Sequence, residues 1–324
     1  MPESLESNSS RSAVKLQDGL IRLTAPNPSP MTYKGTNTYI LEQKELIIID
    51  PGPNSKTHLR NLLELIPPNA KVSHILVTHS HLDHSELAPT LSKIVNAPTF
   101  AFGRALDGQS NNMKNICKMG LVSDSFGIDM EFVPHYFLQD KEKIISSELE
   151  ILVHHTPGHL CNHVCYQYFD ILFTGDHVMD WSTSVISPPE GDVSQFINSC
   201  KEINKLQCQK FYPGHGLPVE NPSGRITELI EHRKKREIEI HNFLINNEAT
   251  LAGTFGNHDK ERSVDFHSAS YYLRYSDDLI VVREIHEVAG TPQAPAVATV
   301  TLTNGDSCEI ASITISANGS YTSS

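Results

Sequence analysis

The chain has 324 residues, 39% hydrophobic and 20% charged, with a formal net charge of −12. That length supports a sizeable core, and the composition is that of a soluble globular protein rather than a disordered or fibrous one. The acidic balance repels phosphate backbones, so nucleic-acid binding would need a locally basic groove.

Six cysteines (117, 161, 165, 200, 208 and 308) are scattered through a chain too large to need stapling, which points to reduced thiols. The start, MPESLESNSSRSAVKLQDG, has no apolar run of the secretory kind, and no stretch is long and apolar enough to cross a bilayer. Together these lead to the expectation of a cytoplasmic protein with no membrane partner.

In chain order, residues 1–15 are polar, serine-rich and expected to be disordered. From about Leu16 short apolar runs alternate with Gly, Pro and Asn. Strands are predicted over residues 38–41, 45–50, 72–78, 150–154, 171–174 and 210–212. Helices are predicted over 56–65, 85–94, 193–203 and from Ser223 to about Leu244, the last opened by Pro222. Strands alternating with helices indicate a layered α/β domain over residues 16–244. Beyond it lies a segment, 245–324, in which the run from Ala298 reads as a hairpin turning at Asn304-Gly305, ahead of a Ser/Thr-rich tail.

The chemistry concentrates in THSHLDHSEL, residues 78–87, directly after an apolar run. In an extended segment alternate side chains share a side, so His79, His81 and Asp83 are expected together. His84 points elsewhere unless the chain is already turning into the helix expected from Ser85. Two directions from one loop suit two neighbouring ions, and each ion needs three or four ligands. The remainder appears at three further strand ends: His159 in HTPGH, Asp176 in FTGD and His215 in YPGH. Adjacent Gly and Pro residues permit the tight turns that bring backbone close to an ion. Seven nitrogen and oxygen ligands without cysteine suit two zinc ions, with iron or manganese compatible with the same set. An even split puts His79, His81 and His159 on one ion and Asp83, His84 and His215 on the other, bridged by Asp176. Unrelated polar residues at strand borders are the plain alternative, and the ordering of four loops argues against it.

The order His-x-His-x-Asp-His, Thr-Pro-Gly-His, Gly-Asp and Pro-Gly-His resembles the metallo-beta-lactamase superfamily. The resemblance implies a four-layer αβ/βα sandwich with a dinuclear site at one edge, held by residues matching His79, His81, Asp83, His84, His159, Asp176 and His215. GTNTYIL (35–41), GDHVMDWSTSVISPPEGD (175–192) and ELIEHRKKREIEI (228–240) look like the beta-lactamase-like protein 2 branch. Two departures stand out: Ser85-Glu86 replaces the Gly-Gly that follows the first motif in many relatives, and no winged-helix-like closing module is recognisable after Leu244.

Such a centre lowers the pKa of a shared water and polarises the bond under attack, which implies a binuclear metal-dependent hydrolase acting on an ester, thioester or related bond of a small molecule. Asp83 and Asp176, the carboxylates among the ligands, are the expected catalytic residues. Asp50, before Pro51-Gly52, is a candidate to orient an imidazole, although a turn-forming Asp explains it equally. His163 and His177 are candidates for the same work, with a satisfied core histidine as the plain alternative. HLCNHVC (159–165) invites a structural zinc site if it is a strand, but lacks a second Cys/His cluster. Trp181, Ser182 and Thr183 are candidate pocket-mouth residues, and Asn37 and Tyr39 are expected near the site on the resemblance.

The basic run 232–236 invites RNA, since some relatives in this branch act on single strands. Interleaved Glu228, Glu231, Glu237 and Glu239 favour a solvated helix face instead. The alternatives to the hydrolase are a zinc-dependent single-stranded ribonuclease, an iron-dependent persulfide dioxygenase and a binding protein with a vestigial site. No lost ligand supports the last of these. A flavodiiron role is disfavoured because His81 stands where that group has Glu. No feature of the sequence sets an oligomeric state.

Overall fold

The computed structural model describes residues 13–118, 127–147 and 149–246, together with four strands further on. The expectations for residues 1–12, for the Asn304-Gly305 turn and for the C-terminal tail fall outside the described residues, whereas residues 13–15, expected to be disordered with them, are strand because they pair with the segment 21–23.

The first sheet has seven strands in chain order: β1 (Ala13–Gln17), β2 (Leu20–Thr24), β3 (Asn37–Glu42), β4 (Leu46–Ile49), β5 (Val72–Leu76), β6 (Thr99–Ala101) and β7 (Tyr136–Phe137). Strands β1 to β4 are antiparallel neighbours, and β4 to β7 run parallel. The second sheet has the order β12-β11-β10-β9-β8, with β8 (Lys143–Ser146), β9 (Leu149–His155), β10 (Val164–Tyr168), β11 (Ile171–Gly175) and β12 (Lys210–Pro213). Only its β11–β12 pair is parallel. Helices are α1 (Lys56–Glu64), α2 (Leu82–Ser85), α3 (Ala88–Val95), α4 (Asn111–Lys118), α5 (Val193–Asn204) and α6 (Pro222–Asn246).

Strand β4 shows why the layers form. Its LIII sequence is buried throughout, so both faces of the sheet are covered. Ile47 and Ile49 join Tyr39 and Leu41 against Ile151, Val153, Tyr166, Phe173 and Tyr212 of the second sheet. Leu46 and Ile48 face the other way, onto a cluster with Leu62 of α1 and Ala88 and Leu91 of α3. On the second sheet's outer side, α5 buries Phe196, Ile197, Cys200 and Ile203. Helix, sheet, sheet, helix is the four-layer αβ/βα sandwich implied by the motifs.

Helix ends follow local chemistry. Ser55 caps α1 by accepting from the His58 amide, and Asp192 caps α5 by accepting from the Ser194 and Gln195 amides. Helix α3 closes on Asn96 in the left-handed conformation. The helix expected from Ser85 instead begins at Leu82 and is interrupted before Ala88. The segment 159–163 is a loop, and strand begins only at Val164. Strands β1 and β2 form a hairpin around Asp18-Gly19, which the sequence expectation does not include although Asp-Gly is a turn signal.

Further along, β13 (Ser270–Tyr275) pairs with β14 (Asp278–Arg283), and β15 (Val297–Leu302) with β16 (Ile310–Ser316), both antiparallel. The second pair falls on the segment read as a hairpin. No helix among the described residues is long and apolar enough to cross a membrane.

Candidate metal centre

Strand direction brings the motifs to one edge. Strands β9, β11 and β12 all run the same way, so the turns carrying His159, Asp176 and His215 leave the second sheet on the same side. The parallel pair β4–β5 likewise ends in Asp50 and Thr78 side by side. Backbone bonds then join the two sheets at this edge, from the Val164 amide to the Thr78 carbonyl at 2.8 Å and from the Asn37 amide to the Gly214 carbonyl at 2.7 Å.

All seven candidate ligands converge. His79, His81, His159 and Asp176 form one group, and Asp83, His84 and His215 a second, with one ligand atom from each residue within 4.8 Å of the others in its group. His79 Nε2 and His159 Nε2 lie 2.9 and 3.0 Å from His81 Nδ1. His84 Nε2 is 3.4 Å from His215 Nε2 and 3.4 Å from Asp83 Oδ2. Asp176 faces both groups, with Oδ2 at 3.7 Å from His159 Nε2 and 3.2 Å from His215 Nε2, and Oδ1 at 3.4 Å from His84 Nε2.

The alternation expected for Asp83 is corrected here. The chain is helical from Leu82, so Asp83 leaves the side shared by His79 and His81 and joins His84 instead.

The outer nitrogens fix the tautomers. His159 Nδ1 donates to the Val185 carbonyl, and His215 Nδ1 meets the Gly35 carbonyl at 3.3 Å. His84 Nδ1 donates to Asp50 Oδ2 at 2.9 Å. The Thr78 hydroxyl donates to the same oxygen at 2.8 Å, so it accepts from His79 Nδ1 at 2.9 Å. Carbonyls and carboxylates can only accept, so in its neutral form each of these four rings carries its proton on Nδ1 and turns an Nε2 lone pair inward. Bare lone pairs facing one another and two carboxylates repel unless positive charge lies among them. Asp176 Oδ1, buried and without a hydrogen-bond partner, is one more acceptor with the same need. The donor set therefore fits two divalent cations.

Electrostatics divides the groups in the same way. Burial drives the pKa of His79 well below the usual imidazole range, that of His81 down to about 3, and that of His159 down as well. Burial also opposes charge on His84 and His215, but the Asp83 and Asp176 carboxylates outweigh it and raise both. Burial would raise Asp83 and Asp176, yet His84 and His215 hold both carboxyls below the ordinary range. A divalent cation competes with protons for these lone pairs, so binding releases protons.

The close approach depends on Gly214, where a Cβ would lie 2.4 Å from Asp176 Oδ1 and 2.6 Å from His84 Cε1. Asp50 does orient imidazoles, and it adds the Thr78 amide at 2.7 Å as a third donor. His163 and His177 are core histidines. His163 Nδ1 meets Thr156 Oγ1 at 2.8 Å, and His177 Nε2 lies 3.5 Å from Cys200 Sγ. The zinc site considered for HLCNHVC does not form: Cys161 Sγ meets the Ala105 carbonyl and Cys165 Sγ the Thr156 hydroxyl. Asn37 and Tyr39 reach the edge by donating to the Pro213 carbonyl at 3.1 and 2.7 Å. Thr36, Thr78 and Val185 take part in the site without a sequence signal that assigns them a role there. Thr36 Oγ1 donates to Asp83 Oδ2 at 2.6 Å, and the bridge between Thr36 and His215 helps to hold it there.

Comparison with known proteins agrees with this geometry. The chain is 30% identical over 241 residues to the beta-lactamase-like protein 2 homolog of Drosophila melanogaster, covering 71% of this chain and 75% of that protein. It is 27% identical over 231 residues to an atrochrysone carboxyl ACP thioesterase of Aspergillus fumigatus, covering 69% of this chain and 64% of that one. A beta-lactamase domain protein of Burkholderia ambifaria superposes with a TM-score of 0.65 at 19% identity, over 82% of this chain and 85% of that structure, which bears on the fold alone. The model of the metallo-beta-lactamase superfamily matches residues 31–215. That span takes in every candidate ligand, and the chain belongs to the metallo-beta-lactamase superfamily.

Proposed function

We propose that the protein is a binuclear metal-dependent hydrolase of an acyl ester or thioester of a small molecule. The observation that carries this reading is the convergence of inward-facing imidazole nitrogens and two carboxylates on one edge of the sandwich, where Asp83 stays 26% accessible. Superfamily members are mostly metal-dependent hydrolases or related enzymes, and the thioesterase named among the relatives favours the acyl class.

His79, His81 and His159 would hold one cation and Asp83, His84 and His215 the other, with Asp176 shared. Bound there, two divalent cations would supply Lewis acidity at neutral pH, which makes water more acidic and, by polarising an acyl oxygen, makes the acyl carbon more electrophilic. Asp83 is the more exposed of the two acids, with its side chain 26% accessible against 11% for Asp176. It is the better placed to take a proton from water while Thr36 steadies one of its oxygens. In thioester hydrolysis the new C–O bond replaces the C–S bond, and water's proton ends on the departing sulfur.

The net charge of −12 argues against single-stranded RNA as substrate. The test is metal analysis of the purified protein with one panel: a thioester, a nitrophenyl ester, a lactone, bis-nitrophenyl phosphate and single-stranded RNA, with His79→Ala as blank. Zinc in the protein and acyl turnover that disappears in the blank are expected. Phosphodiester cleavage without acyl turnover, or an iron protein consuming oxygen with a persulfide, would overturn the proposal.

A further inference from the structure

Three loops that carry or touch candidate ligands also hold exposed apolar side chains. Val185 is 47% exposed, and its carbonyl accepts from His159. Leu217, two residues after His215, is 59% exposed. Tyr33, two residues before the Gly35 carbonyl that meets His215, is 42% exposed. Trp181 joins the last two loops. Its ring stacks on Tyr33 with centroids 5.0 Å apart and planes inclined by 21°. Its edge lies against Gly216, where a Cβ would approach Trp181 Cδ1 to 2.5 Å.

This wall is braced. Arg225 donates from Nε to the Met179 carbonyl and from Nη2 to the Ser182 carbonyl, both at 2.8 Å, gripping the chain on either side of Trp181. The Gly216 carbonyl accepts from Asn37 Nδ2 at 3.0 Å and from Arg22 Nη1 at 3.2 Å. Exposed apolar surface costs free energy in water, and two half-buried arginines fixed on carbonyls hold it in place beside the reacting edge. A polar or very small acyl group would gain nothing from it.

The geometry points to a specificity wall, centred on the Tyr33–Trp181 stack with exposed Val185 and Leu217 on the adjoining ligand-bearing loops, that takes an apolar, ring-bearing or medium-length acyl group of the substrate. This rests on the acyl-hydrolase reading for its substrate class. An aromatic pair also suits a nucleobase, but the two aliphatic members and the acidic chain favour the acyl group.

Trp181 is the single tryptophan of the chain, so its emission reports on the wall without turnover. The experiment uses the full-length, metal-loaded protein with acetyl, hexanoyl and benzoyl thioesters of one thiol, and the matching unreactive amides. The wild type is expected to prefer benzoyl and hexanoyl over acetyl. Trp181→Ala should lower the benzoyl-to-acetyl ratio of kcat/KM by roughly tenfold, the scale of one lost apolar contact. Tyr33→Ser should lower it too, and decides the matter should the tryptophan variant not fold. The benzoyl amide should shift the tryptophan emission, and the acetyl amide should not. Emission that responds to the benzoyl amide while no thioester is turned over keeps the wall and removes the hydrolase reading. An unchanged ratio in folded variants, or emission that answers to a single-stranded oligonucleotide and not to the amide, overturns the wall.

Discussion

Asp50→Asn separates orientation from mere presence of the ligands. Asp50 touches no candidate cation position, yet it receives three donors, the Thr78 amide and hydroxyl and His84 Nδ1. Its φ is 50°, a left-handed conformation that Asn tolerates best after Gly, so the substitution adds little backbone strain. The amide NH2 must then face donors. Against the Thr78 amide it leaves two opposed N–H groups, at about 1–3 kcal/mol for a buried unsatisfied donor. Placed on the other side it relieves that clash by turning the Thr78 hydroxyl toward His79 Nδ1 and moving the proton of His84 to Nε2. Both rings, one in each group, then direct N–H where a lone pair is needed. Disruption of such outer partners typically lowers metal affinity or activity by about 10–100-fold, and two rings affected together place Asp50→Asn at the upper end, about 2.7 kcal/mol. Zinc competition against a chromophoric chelator, alongside elemental analysis, reads the effect for both ions. An Asp50→Asn protein with wild-type zinc affinity at both positions would refute the tautomer argument.

Asp176→Ala removes the carboxylate shared by the groups, so metal content should fall and activity disappear while unfolding stays cooperative; full turnover would rule out a shared ligand. Gly214→Ala adds a methyl against Asp176 Oδ1 and His84 Cε1 and should lower metal affinity more than thermal stability, read by elemental analysis and calorimetry on one preparation. His58 is buried, and burial lowers its pKa to about 4 from 6.5, so the folded state binds fewer protons than the unfolded chain between those values. Its contribution is present above pH 6.5 and is lost as pH falls toward 4, on the order of 3 kcal/mol. His58→Gln should flatten the stability–pH slope in that window by up to one proton, measured by urea titration at several pH values; a parallel slope would refute it.

Much of this centre was legible in the order of residues because ligand type and turn chemistry are local properties. His-x-His-x-Asp-His after an apolar run, and Gly or Pro beside each later ligand, identify donors and the turns that present them. Helix spans such as 193–203 were legible for the same reason, since capping and periodicity act over a few residues. The short strands β6 and β7 carry too few residues for a pattern, and their pairing comes from neighbours distant in sequence. The ion to which Asp83 belongs followed from the even split of ligands, but the direction of its side chain did not follow from strand alternation, because the onset of a helix at Leu82 depends on backbone bonds to the 127–129 segment, which no local rule contains.

What the sequence determined by itself is the inventory: which side chains can bind a cation, and that strands and helices alternate around them. Which lone pair each imidazole turns inward was decided only by the tertiary structure. That choice rests on Asp50, the Thr78 hydroxyl and the Gly35 and Val185 carbonyls, acceptors brought beside the rings by strand direction and sheet packing. A hydrogen bond reaches about 3 Å through space whatever the separation along the chain, and only the folded backbone sets that distance.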